Sequence, residues 1–150
     1  MSKSIVDKAY EFADLKHKDQ KDDNGKEYFG AHILNVVSIL MQVTKDPVII
    51  AAGYLHDTLE DTDTTMVEIE MQFGNEIASL VRELTHEGTN DNVGYYFPRL
   101  ASKKAIIIKF ADRLSNLSRM DNWTPKRQQH YLSKSKFWKS QIQLDFGMDK

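Results

Sequence analysis

The chain carries histidines and aspartates of the kind that bind a divalent metal ion. Four of them are well separated in the sequence, namely His32, the adjacent pair His56 and Asp57, and Asp112. Two imidazoles and two carboxylates form a mixed nitrogen and oxygen set, which suits Mn²⁺, Fe²⁺, Co²⁺ or Zn²⁺ and suits Ca²⁺ poorly, because Ca²⁺ prefers oxygen alone. We therefore predict a site for one such ion, provided that the fold brings the four side chains together.

Each of the four residues also has an explanation that needs no metal. His32 could be a hydrogen-bonded surface group, and Asp112 could pair with a basic neighbour on its own helix. His56 and Asp57 could form a polar cluster at a helix end, although a carboxylate near the C-terminal end of a helix opposes the helix dipole. From the residue types alone, a metal site and scattered structural roles are equally good interpretations.

Apolar residues at helical spacing position three of these side chains on two helices. The spacing across residues 33–40 predicts a helix that holds His32 at or near its first turn. Asp46 followed by Pro47 is a favoured start for the next helix, because the aspartate caps it and the proline fits the first helical position. The pair His56–Asp57 then falls in the last turns of that helix.

The other segments are also predicted to be helical. A first helix spans about residues 4–17, and two later helices are separated at Gly74. The apolar residues that begin at Ala105 could form a buried strand, but their pattern continues past strand length and favours a helix, which carries Asp112. The last helix starts at Pro125. The sum is an all-α fold.

The composition limits the classes of function. The 150 residues are 41% apolar, which fits a single domain over residues 1–150. A net charge of −2 supplies no overall field toward nucleic acid or an anionic membrane, and the lack of cysteine excludes thiolate metal sites and a cysteine nucleophile. No apolar run approaches the roughly 18 residues of a membrane span. We expect a cytoplasmic protein with no nucleic-acid or membrane partner, and the oligomeric state is left open.

Longer stretches around the candidate ligands resemble a known family. The order of histidine, histidine–aspartate and aspartate on separate helices is similar to that of the HD-domain metal phosphohydrolases. Four segments resemble the hydrolase domain of the RelA/SpoT family, namely AYEFADLKHKDQ, AAGYLHDTLEDTDTT, FGNEIASLVRELT and IIIKFADRLSNLSRM. They are most similar to the small stand-alone members of the metazoan SpoT homologue type. The resemblance extends from about Ala9 to Trp138 and implies a single HD-domain helical bundle.

The resemblance implies a Mn²⁺-dependent hydrolase of the alarmone (p)ppGpp or a related purine nucleotide. Such an enzyme removes the 3′-pyrophosphate and yields GDP or GTP and pyrophosphate. The four ligands would hold the ion, and Glu60 and Asp61 would serve the attacking water, since a nearby carboxylate can orient a water or accept its proton. Glu60 lies four residues after His56 and shares its face if the helix continues that far. The other interpretation of the two acids is a solvated helix end.

A polyphosphate substrate also needs groups that bind phosphate and base. The candidate substrate-binding residues are Lys21, Lys26, Lys109, Arg113, Asn116 and Tyr131. Arg113 and Asn116 match positions that line the nucleotide site in the family, and Tyr131 falls near a family aromatic. The lysines could equally be solvated surface charges, and Tyr131 could be a packing residue.

The chain departs from the family pattern in its first loop and second helix. The family usually has an arginine–lysine pair in the loop, where this chain has Lys21 followed by Asp22 and Asp23, and Ile33 replaces a family proline. Lysine lacks the planar surface with which arginine stacks on a base. The substrate could therefore be a different purine nucleotide.

Two other functions stay open from the sequence. A nucleotide phosphomonoesterase of the HD type, acting on 5′-monophosphates or on the phosphate of NADPH, would release orthophosphate. A non-catalytic nucleotide-binding protein would have no need of Glu60 and Asp61. The aromatic segment Tyr95–Phe97 could close over a nucleotide or anchor its loop by apolar packing.

Overall fold

The structure is a computed structural model that describes residues 4–22, 24–85, 102–118 and 124–134. The helices are α1 (Ile5–Lys16), a π-helical turn (Phe29–Ile33), α2 (Leu34–Val43), α3 (Pro47–Leu55), α4 (Thr58–Asp61), α5 (Met66–Phe73), α6 (Asn75–Leu84), α7 (Lys103–Leu117) and α8 (Pro125–Lys134). Within the described ranges β pairing is limited to one isolated bridge, between Lys21 and Glu27. The all-α prediction is confirmed, and the Tyr95–Phe97 segment lies outside the described residues.

Local capping explains where several helices begin. The Ser4 side chain accepts a hydrogen bond from the Asp7 amide, and the Asp46 carboxylate accepts one from the Val48 amide at 2.9 Å. Each of these bonds satisfies a backbone donor that the first turn of a helix leaves without a partner. Pro47 fills the first position of α3, as its sequence predicted.

Helix α3 forms the centre of the core. Its residues from Ile49 to Leu55 are all buried, and it packs against α1, α2, α6 and α7. At Gly53 the neighbouring helix comes very close, since a Cβ there would lie 2.6 Å from Leu40 Cδ1. A helix that is apolar all round belongs in the interior of a bundle. The residues that follow α3 are therefore placed in the middle of the fold.

The structure differs from the sequence-based helices at two points near the candidate ligands. Helix α3 ends at Leu55, so His56 and Asp57 lie in the turn before α4 rather than in the last turns of α3. His32 lies in the π-helical turn that precedes α2, where the sequence predicted an ordinary first turn. A π-helical turn is wider than an α turn, and such turns are frequent at functional sites. None of the described helices is both long and apolar enough to cross a bilayer.

Candidate metal centre

Three separate elements bring the four candidate ligands to one point. His32 comes from the π-helical turn, His56 and Asp57 from the junction of α3 and α4, and Asp112 from the middle of α7. One ligand atom from each residue lies within 4.8 Å of the others. The four side chains are therefore not scattered through the fold but form a group that could hold a metal ion.

The facing atoms are those that a metal site requires. His32 Nε2 lies 2.9 Å from Asp112 Oδ1, and His56 Nε2 lies 3.3 Å from the same oxygen. Asp57 Oδ2 is 3.2 Å from His56 Nε2 and 3.5 Å from His32 Nε2. Two nitrogens and two carboxylate oxygens thus face a common centre. This mixed donor set fits one divalent ion of the Mn²⁺ to Zn²⁺ group.

The opposite ring nitrogens of both histidines are held by the protein. His56 Nδ1 donates to the carbonyl oxygen of Gly53 at 2.6 Å, and His32 Nδ1 lies 2.9 Å from Ser115 Oγ. Asn35 Nδ2 donates to the same Ser115 hydroxyl oxygen at 3.0 Å. A carbonyl oxygen can only accept, so His56 carries its proton on Nδ1. With an ion bound, its Nε2 would then be the atom that supplies the lone pair, as metal-binding histidines require.

The two carboxylates also have a second partner each. Tyr28 donates from its hydroxyl to Asp57 Oδ2 at 2.5 Å, and Lys109 donates from Nζ to Asp112 Oδ2 at 3.2 Å. Asp112 therefore turns one oxygen to the two histidines and the other to a buried ammonium. Both aspartates are oriented by contacts outside the ligand set, which is how metal-binding carboxylates are usually fixed.

The charges of this cluster compensate each other. Burial disfavours an imidazolium, but the carboxylates of Asp57 and Asp112 raise the pKa of His56 well above its ordinary value. Burial likewise disfavours both carboxylates, and the facing imidazoles hold the pKa of Asp57 well below its usual range. For Asp112 it is Lys109, together with the imidazoles, that outweighs burial and lowers the pKa. The cluster thus places two carboxylates beside positive charge. A divalent cation could supply such a charge.

Comparisons with known proteins identify the family. The family model for the HD domain matches residues 9–93. The human guanosine-3′,5′-bis(diphosphate) 3′-pyrophosphohydrolase MESH1 is 34% identical over 151 residues, which cover 89% of this chain and 80% of that protein. A solved structure of a metazoan orthologue of SpoT that hydrolyses ppGpp superposes with a TM-score of 0.75 at 28% identity and covers 91% of this chain and 84% of the other.

The chain belongs to the HD-domain family. A bacterial relative, the probable guanosine-3′,5′-bis(diphosphate) 3′-pyrophosphohydrolase of Synechocystis, is 34% identical over 143 residues, or 88% of this chain. This HD domain spans only 19% of the length of that relative. The resemblance to RelA/SpoT hydrolase domains and to the metazoan SpoT homologue type is therefore confirmed.

The acidic pair Glu60–Asp61 follows the candidate ligands His56 and Asp57 closely in the sequence. Glu60 and Asp61 end the four-residue helix α4, and both are exposed. The sequence placed Glu60 on the same face as His56 only if the helix continued that far. The helix is interrupted after α3, so this condition is not met. Desolvation by the protein on one side and the charge of Asp57 raise the pKa of the Asp61 carboxyl, whereas a hydrogen bond from Gln20 opposes that rise.

The candidate substrate-binding residues of the HD domain lie in different places. Lys109 and Arg113 are buried on α7 beside Asp112, and Asn116 is half-buried one turn further along. Lys21 and Lys26 are exposed in the first loop.

Tyr131 falls in α8, and its side chain lies outside the described residues.

The acids of the first loop have a structural use that the sequence did not indicate. Asp22 Oδ1 accepts hydrogen bonds of 2.9 Å from the amides of Asn24 and Lys26. Asp22, which stands where the family usually has a basic residue, thus closes the turn of this loop.

Sequence reasoning missed the residues that hold the ligands in place. Tyr28 precedes His32 by four positions, and Ser115 follows Asp112 by three, so each shares a helix face with a ligand. That spacing is a signal the sequence offers. Gln20, which contacts Asp61 across 41 positions, gives no such signal.

Proposed function

We propose that this protein is a hydrolase that needs one divalent ion, Mn²⁺ in the first place, and removes the 3′-pyrophosphate of ppGpp or a closely related purine nucleotide. The products are GDP or GTP and pyrophosphate. The observation that carries the proposal is the convergence of His32, His56, Asp57 and Asp112 within 4.8 Å. Its support is the likeness to MESH1 over most of both chains.

The residues around the candidate metal centre would have separate roles in such a reaction. A bound divalent ion lowers the pKa of a water and polarises a phosphoryl oxygen. Asp61, whose raised pKa suits proton transfer, accepts the proton of the attacking water, and Glu60 orients that water. Tyr28 keeps Asp57 turned toward the centre, because burial and the charge of Asp57 raise the pKa of its hydroxyl and keep it a donor.

The substrate is proposed to lie against α7 and the first loop. Arg113 and Asn116 follow Asp112 on α7 and supply donors for phosphate oxygens. Lys109 compensates the charge of Asp112, and its pKa is lowered by burial against the opposing effect of that carboxylate. Lys21 and Lys26 are exposed and placed for the outer phosphates.

Tyr131 is the proposed aromatic contact for the base. The first loop offers lysines and a turn-closing aspartate, Asp22, in place of an arginine, so stacking on guanine is weaker here than an arginine would make it. We propose residues 1–150 as one domain acting in the cytoplasm on a small nucleotide, with no role for nucleic acid, in keeping with the net charge of −2.

Product analysis tests the proposal. The protein is incubated with Mn²⁺ or with EDTA, and with ppGpp, purine 5′-monophosphates and NADPH in turn, and the products are separated by ion-exchange chromatography. Mn²⁺-dependent release of pyrophosphate from ppGpp is expected. Orthophosphate from a monophosphate or from NADPH would instead identify a phosphomonoesterase. Metal and nucleotide binding without any turnover would identify a binding protein.

A substitution separates chemistry from binding. Glu60→Gln is expected to abolish most turnover and to leave the affinity for ppGpp unchanged, because a neutral amide no longer offers the carboxylate that orients the attacking water. Glu70→Gln on α5 is the matched control, since Glu70 is also exposed and lies on another helix. Full activity of Glu60→Gln would remove Glu60 from the reaction.

A further inference from the structure

A line of polar contacts leads from Asp61 back to the end of α1. Gln20 Nε2 donates to Asp61 Oδ2 at 3.4 Å, which is longer than the usual range of about 2.7–3.2 Å and makes this a weak hydrogen bond. Gln20 Oε1 lies 2.7 Å from Nδ1 of His17, the fully buried residue that ends α1. Neither Gln20 nor His17 has a part in the mechanism above. A buried histidine that contacts only one polar side chain calls for an explanation.

The hydrogen bonds of this line can run in only one direction. An ionised Asp61 can only accept, so the amide of Gln20 must turn its NH₂ group toward Asp61 and its oxygen toward His17. His17 Nδ1 must therefore carry the proton and donate. His17 Nε2 is buried without a hydrogen-bond partner among the described residues. The proton on Nδ1 is thus the one that serves the contact with Gln20.

The backbone fixes Gln20 from both sides. Its amide donates to the carbonyl oxygen of His17 at 3.0 Å, and its own carbonyl oxygen accepts from the Tyr28 amide at 2.9 Å. The rings of His17 and Tyr28 lie 5.3 Å apart. The segment that presents Gln20 to Asp61 is therefore the one that presents the Tyr28 hydroxyl to Asp57.

We propose that Gln20 is a positioning residue for Asp61, and that His17 acts through Gln20 by fixing which way its amide points. Asp61 ends a helix of only four residues at an exposed position, so its carboxylate has little else to set its direction. The proposal rests on the proposed function, because the role of Asp61 toward the attacking water belongs to it. Fixing one carboxylate oxygen leaves the other aimed at that water.

Kinetics of two variants test the positioning role. Gln20→Met keeps the size of the side chain and removes the donor, and kcat is expected to fall about tenfold, with KM and the affinity for Mn²⁺ changed by less than about twofold. His17→Phe should lower kcat to a similar extent. The double variant should be no slower than Gln20→Met alone, because His17 acts only through Gln20. Gln42→Met, at an exposed position of α2, is the matched control.

Multiplying losses in the double variant, a loss that falls on KM, or an unchanged kcat in Gln20→Met would each overturn the proposal. A second readout does not need activity. In ¹⁵N spectra of protein loaded with diamagnetic Zn²⁺, the His17 signals are assigned by their loss in His17→Phe. If that variant does not fold, they are assigned from backbone correlations.

The spectra are expected to show a proton on Nδ1 of His17, whose signal shifts in Gln20→Met. A His17 ring without a proton on Nδ1 would overturn the proposal whether or not the protein is active. A wild-type protein that is inactive on ppGpp would overturn the proposed function alone. In that case the His17 tautomer still decides whether the line of contacts exists.

Discussion

The hydroxyl of Tyr28 donates a 2.5 Å hydrogen bond to Oδ2 of Asp57, a residue 29 positions later in the chain. Tyr28 directly precedes the π-helical turn that carries His32. One short segment thus supplies a candidate ligand and also orients another that comes from a different part of the fold. Two of the four candidate ligands, His32 and Asp57, therefore depend on this segment.

Tyr28→Phe is expected to weaken Mn²⁺ binding about tenfold or more, as the loss of a residue that orients a ligand commonly does. Isothermal titration calorimetry measures the affinity. Tyr10→Phe is the control, because Tyr10 is partly exposed and its ring packs against Phe29 rather than against a ligand. Equal affinities of Tyr28→Phe and the wild type would show that Asp57 needs no help from Tyr28.

Removal of the metal is expected to lower the melting temperature. An ion that binds only the folded state at about 1,000 times its Kd adds about 4 kcal/mol to the free energy of unfolding. Asp112→Asn should lose this response to Mn²⁺, because it removes a charged ligand. Asp63→Asn should keep it, since the Asp63 side chain is 88% exposed and pairs with Lys16. Thermal unfolding with Mn²⁺ and with EDTA compares the three proteins.

Asp46 should make the stability of α3 depend on pH. Hydrogen bonds from Lys104 and from the amide of Val48 hold the pKa of Asp46 below its ordinary value of 3.8. The stabilisation by the ionised carboxylate is therefore complete well above pH 3.8 and is lost as the pH falls through the lower pKa of the folded state.

Asp46→Asn keeps the cap but not the charge, so its deficit in unfolding free energy should be present at pH 7 and shrink toward pH 3. Asp46→Ala should cost about 1 kcal/mol through the lost cap. Urea unfolding at several pH values measures both variants. A deficit of Asp46→Asn that stays constant with pH would exclude a contribution from the charge.

Gly74 should resist substitution because of its backbone. It separates α5 from α6 with φ of 89° and ψ of 169°, a region that is open almost only to glycine. Gly74→Ala is expected to cost about 1–3 kcal/mol of stability in urea unfolding. Gly30→Ala is the control, since nothing lies within 4 Å of a Cβ added there and its φ is not positive. A neutral Gly74→Ala would mean that the junction relaxes freely.

Local signals in the sequence predicted most of the helices. Ser4, Asp46 and Pro47 act on the backbone within a turn or two, so their effect is visible without knowing the rest of the fold. The π-helical turn at His32 could not be predicted this way, because nothing in its local pattern differs from an ordinary helix start.

The sequence also predicted only part of the candidate site. The four ligands were named from residue type and family resemblance, and the structure brings them together. Their supports were missed wherever the partner is distant in sequence, as with Tyr28 and Asp57, or with His32 and Ser115 across 83 positions. The His32–Ser115 contact depends on how the segment before α2 meets α7, and the Tyr28–Asp57 contact on how the same segment meets the α3–α4 junction. Neither contact across the fold is recorded in a local pattern.

The distance in sequence between His32 and Asp112 has a consequence for protein synthesis. The two residues lie 80 positions apart and meet at 2.9 Å. A chain made from its N-terminus cannot complete this donor set until α7 has left the ribosome and packed against α2. Until then the nascent chain offers only three of the four donors, so the complete set can bind an ion only after α7 has been synthesised.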